Sequence, residues 1–109
     1  MSKDELLVLF EKAKESYIKY YNSYDRYYEL DDKGSNTRYC IPIICRCKNN
    51  LLGLLNLLNK SEDTDLSKNI DELITIINTN YEHMNMTNII NNNVLKSFDK
   101  IKSIINNIS

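Results

Sequence analysis

The chain has no Trp, a single Pro, a single His, two Gly and three Cys in 109 residues. A multi-stranded β fold needs a turn signal every ~8–12 residues, and so little Gly and Pro cannot supply them. Gly34 and Gly53 stand apart, so no Gly-rich phosphate loop is present. His83, in "NYEHMNM", has no second imidazole near it and no evident nucleophile beside it. This argues against a histidine relay or general base and predicts a non-enzymatic protein.

The cysteines, in "CIPIICRC", follow a C-x4-C-x-C pattern at positions 40, 45 and 47. On a helix, Cys45 and Cys47 point about 200° apart and cannot grip one ion. Structural zinc wants four close ligands, so no metal and no cofactor are expected, and the thiols read as small core fillers.

Long apolar runs are also missing. The most apolar stretch, Tyr39 to Leu58, is interrupted by Arg46, Lys48, Asn49 and Asn50, which makes a poor membrane span. The opening "MSKDELLVLFEKAK" lacks the basic start and clean apolar core of a secretion signal. The expectation is a cytoplasmic, reducing location with free thiols and no membrane contact.

What is abundant is Asn, Ile, Lys and Tyr, whose common codons are AT-rich. Part of this bias reads as the stamp of an AT-rich genome, such as that of a virus or mobile element. Hydrophobic residues at 42% and charged ones at 27% give a globular composition. The length suits one domain, 1–109, able to bury a core without staples.

Periodicity makes that domain all-α. Ser2 and Glu5 form a capping-box pair. From there Leu6, Phe10, Ala13, Tyr17, Tyr20, Tyr24 and Tyr27 alternate steps of four and three, with Leu7, Tyr21 and Tyr28 widening the stripe. This helix should stop near Lys33, with Gly34 as its left-handed C′ residue. A second helix starts near Thr37 to Tyr39, placing Pro42 in its first turn, and ends near Asn59. Its half "LLGLLNLLNK" is apolar nearly all round, a sign of a central helix or of a face covered by another chain. "SEDTD" supplies the next cap. Leu66, Ile70, Leu73, Ile77 and Met84, with Ile74 beside them, form a third seam; Ile90, Val94, Phe98, Ile101, Ile105 and Ile108 form a fourth. The pattern predicts an up-down antiparallel bundle of four helices, or three if the last two are one kinked helix. Residues 34–60 carry a charge of +4 and 61–86 a charge of −5, which favours the second and third helices as antiparallel neighbours.

Six tyrosines fall between positions 17 and 28. A buried phenol must find a partner or lose roughly 1–3 kcal/mol, so bundle cores rarely use so many. Tyr17, Tyr20, Tyr21, Tyr24, Tyr27 and Tyr28 are therefore expected to form a half-wet stripe, on a rod longer than its neighbours, for a protein partner or for a second copy in a homodimer. Leu54, Leu57 and Leu58 offer a second contact. The functional expectation is a helical protein-interaction module that self-associates or binds or inhibits a larger target, with no small-molecule substrate in view. Bacteriocin immunity proteins, phage inhibitors of host defence and small complex subunits share this size and class, a likeness from which function does not follow. The alternative is a nucleic-acid accessory protein using Arg38, Arg46 and Lys48, although a pI near 5.8 gives it a thin electrostatic footprint.

Overall fold

In a computed structural model the chain is described over residues 2–31, 37–60, 62–83 and 88–108, with side chains over 2–23, 42–60, 62–80 and 88–108. Four helices occupy these residues: α1 (Lys3–Asp31), α2 (Thr37–Leu58), α3 (Thr64–His83) and α4 (Asn88–Asn106). No strand occurs among the described residues. Each helix packs on its neighbours in chain order and α4 closes on α1, while the diagonals α1/α3 and α2/α4 make no approach among the described residues. The result is an all-α bundle of 52 × 22 × 18 Å. The last two helices are separate and pack on each other, so the three-helix alternative falls.

Local signals place the helix starts. The Glu5 N–H donates to Ser2 Oγ at 3.2 Å and the Leu6 N–H to the Ser2 carbonyl at 3.0 Å, so Ser2 caps α1. The Leu66 N–H donates to Asp63 Oδ1 at 2.9 Å, making Asp63 the cap that the "SEDTD" loop supplies to α3.

Three contacts fix α4 antiparallel to α1. Lys3 Nζ donates to the Asn106 carbonyl at 2.8 Å, Tyr17 Oη to Asn91 Oδ1 at 2.6 Å and Tyr21 Oη to Asn88 Oδ1 at 3.1 Å. An exposed ion pair, Lys102 Nζ to Glu11 Oε1 at 3.6 Å, lies on the same seam. Asn59 Nδ2 donates to Asp71 Oδ1 at 2.9 Å between α2 and α3.

The core takes Leu6, Phe10, Ala13, Tyr17 and Tyr20 from α1 and Leu66, Ile70, Leu73 and Ile77 from α3, as the seams predict. From α4 it takes Val94, Phe98, Ile101 and Ile105, with Ile90 and Ile108 only half-buried at the ends. α2 contributes Ile44, Leu51, Leu55 and Leu58. Phe10 and Phe98 meet edge to face at 5.8 Å between ring centroids, a favoured aromatic geometry.

α1 and α2 run closest of all the pairs. Ser23 Oγ lies 3.6 Å from Cys47 Sγ, which sets their register. Ser16, two turns below Ser23 on the same face, is buried, as is Ala13. Small side chains at the contact let the two axes approach.

One boundary differs from expectation, and another falls where the description stops. α1 is described as far as Asp31, and Lys33 and Gly34 lie outside the described residues. Pro42 sits inside α2 rather than in its first turn. Lacking an N–H, it cannot serve the Arg38 carbonyl one turn back, so the helix passes through this position one hydrogen bond short.

Candidate functional site

The tyrosine stripe is partly core. Tyr17 and Tyr20 are sealed in the bundle at 1% and 0% exposure, and this corrects their assignment to a partner-binding surface. For Tyr17 the physical reason lies on α4. The Tyr17 ring packs 5.6 Å from Phe98 and 6.4 Å from Tyr21, and its hydroxyl donates to Asn91. Tyr21, one turn on and half-buried, donates to Asn88. Tyrosines four apart on α1 thus meet asparagines three apart on the antiparallel α4, and the phenols find their partners inside the chain. Burial, helped by the neighbouring Tyr21, pushes the Tyr17 hydroxyl well above the ordinary tyrosine pKa. The signal was present in "TNIINNN", where asparagine reads as genome bias until the register of α1 on α4 is known. Side chains of Tyr24, Tyr27 and Tyr28 lie outside the described residues.

The leucines of α2 divide three ways. Leu58 is fully buried core, which corrects its assignment to a contact surface. Leu54 is half-buried, and Leu57 is 42% exposed. With them runs a pattern that sequence reading missed: Ile43, Cys47, Asn50, Leu54 and Leu57 step by four, three, four and three. This is a second seam beside the core set Ile44, Leu51, Leu55 and Leu58. Cys47 meets Ser23, so the second seam lies on the flank of α2 that borders α1. Ile43, at 49% exposure, is its other open apolar end.

Below the end of α2, α1 carries a groove of its own on the same side. Glu5 is five full turns below Ser23 and so points the same way, toward the α2 side. Asp4, Glu5, Val8 and Leu9 line a mainly apolar groove there, with Val8 54% exposed. A second groove lies higher on α2, lined by Pro42, Cys45, Arg46, Cys47, Asn49 and Asn50. The lower groove carries two acids and the upper one carries Arg46.

Arg46 and Lys48 do not gather. α2 is helical through Arg46 and Lys48, so the two point about 200° apart. Arg46 is exposed, Lys48 is half-buried, and the Arg38 side chain lies outside the described residues. Among the described residues, then, Arg46 and Lys48 share no face for phosphates. Cys45 and Cys47 are free thiols, and no metal-binding cluster occurs among the described residues. No helix among the described residues is long and apolar enough to cross a membrane. His83 and Met84 have side chains outside the description.

No family model, curated protein or solved structure matches this chain. Function therefore has to be argued from its own surface.

Proposed function

We propose that this chain is a non-enzymatic helical module that works by binding protein through the α1–α2 face. The supporting observation is the second seam of α2, with Ile43 and Leu57 open to solvent at its two ends and Leu54 half-buried between them. Scattered apolar residues are normal on any surface, but a heptad-spaced row on one flank is the pattern a partner helix reads. Val8 and Leu9 extend the row onto α1. The reading places the protein in a reducing compartment such as the cytoplasm, in keeping with the free thiols of Cys45 and Cys47 among the described residues.

The test uses Ile43→Glu combined with Leu57→Glu. Both sites are at the surface, so far-UV circular dichroism should match the wild type. Immobilised wild-type protein should retain a protein that the double variant loses. Equal retention by both would place the contact elsewhere and refute this face.

A further inference from the structure

The two grooves of the α1–α2 face have a geometric relation that identifies an occupant. The few residues between Asp31 and Thr37 cannot span a helix length, so the packed α1 and α2 run antiparallel, and with Ser23 beside Cys47 residue n of α1 lies level with residue 70 − n of α2. The midpoint between Leu54 and Leu57 is therefore level with the stretch between Lys14 and Glu15. Arg46 lies about 14 Å above that level, at 1.5 Å per residue. Glu5 lies about 14 Å below it. Both are exposed, and each belongs to one of the two grooves.

Equal and opposite offsets along the bundle are one condition of a two-fold axis, and the sideways step from α2 to α1 falls to the reach of the Arg46 and Glu5 side chains. With the axis perpendicular to the bundle and passing between Leu54 and Leu57, the face meets an inverted copy of itself. Leu54 and Leu57 then pack on their own counterparts at the centre. The acidic groove beside the start of α1, with Val8 in it, meets the groove holding Arg46, and the reciprocal contact forms at the other end. Leu57 and Arg46 lie eleven residues apart and project within about 20° of one another, so a single docking reaches both. An isologous interface must be self-complementary, and opposite charges at equal distances from an apolar centre meet that condition.

We propose that the occupant of this face is a second copy of the chain, in an antiparallel two-fold dimer that places Leu54 and Leu57 on the axis and Glu5 of each copy against Arg46 of the other. The inference rests on the protein-binding reading above and names its partner.

Light scattering on the full chain, from about 1 µM to about 1 mM, tests it. Wild type should weigh about twice the 12.8 kDa of one chain at the upper concentrations. Leu57→Glu should weaken association by at least about 30-fold with circular dichroism unchanged. Arg46→Glu and Glu5→Lys, both at exposed positions, should each be monomeric alone. Mixed one to one, they should recover the dimer, because both end contacts are then of opposite sign. A wild type that stays monomeric at every concentration, a Leu57→Glu protein that dimerises as before, or a mixture that remains monomeric overturns the proposal. A monomer that still retains a foreign protein on the same face would sink the second copy while leaving the protein-binding reading in place; a monomer that retains nothing would remove both.

Discussion

Replacing Tyr17 with Phe separates a core tyrosine from an interface tyrosine in one experiment. The ring stays, so its packing on Phe98 and Tyr21 is kept, while the hydroxyl bond to Asn91 goes. At neutral pH that loss costs about 1 kcal/mol, because Asn91 is half-buried and recovers part of its hydrogen bonding from water. Alkaline pH reverses the comparison. An unfolded Tyr17 ionises at the ordinary value of 10.0, while the folded phenol holds its proton well above that because burial penalises the anion. A raised acid pKa leaves stability intact below pH 10 and removes it as pH climbs further, since only the unfolded state gains from losing the proton. The loss is up to about 1.4 kcal/mol per pH unit, hence about 1.4 kcal/mol at pH 11. Phe has no such loss, and the other titrations are common to both proteins and cancel in the difference. Urea unfolding followed at 222 nm should therefore show the variant behind by about 1 kcal/mol at pH 8 and level with or ahead of wild type at pH 11. The same deficit at both pH values would mean that the phenol ionises freely in the folded state. The burial of Tyr17 would then be wrong, and its place on a surface stripe would return.

Four further perturbations read other parts of the fold. Phe98→Ala removes the ring that Phe10 and Tyr17 both touch, and should cost about 3–5 kcal/mol, lowering Tm by more than about 10 °C in calorimetry. Pro42→Ala restores a helix N–H inside α2 at an exposed position and should stabilise by up to about 3 kcal/mol in urea; a fall in stability would mean that the ring is packed. Asp63→Ala deletes the cap of α3 and should cost about 1 kcal/mol, with Asp63→Asn recovering most of it. Ser16→Leu overfills the close α1–α2 contact and should cost about 1–3 kcal/mol, whereas Lys19→Leu, one turn away and exposed, should change little.

Much of this fold is legible from spacing, because a bundle core is a one-dimensional pattern read on each helix. Leu6 to Tyr20, Leu66 to Ile77 and Val94 to Ile105 are buried where steps of four and three put them. Asn80 is the exception on α3: it is buried at the next seam position after Ile77, where polarity argues against a core place. The site was less legible because it depends on which helix faces which. Tyr17 and Tyr21 look expensive to bury until Asn91 and Asn88 are brought opposite α1, a pairing that joins residues some seventy positions apart. α2 was ambiguous for a different reason. Its apolar residues are so dense that periodicity alone cannot divide Leu58, which is core, from Leu57, which is not; the contact of Cys47 with Ser23 assigns the flanks. Charge was the weaker guide. Asn59 reaches Asp71 across α2 and α3, but the ion pair of Lys102 with Glu11 joins α4 to α1.

These two outcomes bear on each other. A tyrosine-rich helix and a leucine-rich helix each present more interaction capacity than one seam needs. On α1 the excess is polar, and α4 absorbs it within the chain through two asparagines. On α2 the excess is apolar, and the chain absorbs it only in part: α1 borders the second seam and leaves Cys47 and Leu54 half-buried, and α4 does not approach α2 among the described residues. Ile43 and Leu57 consequently stay open although their seam carries the same heptad order as the core seam beside it. Leaving such a row in water forgoes roughly 25 cal/mol for each Å² of apolar surface that a partner would cover. On the proposal above, the open ends of that seam would be covered by a second copy, with Glu5 of each chain set against Arg46 of the other.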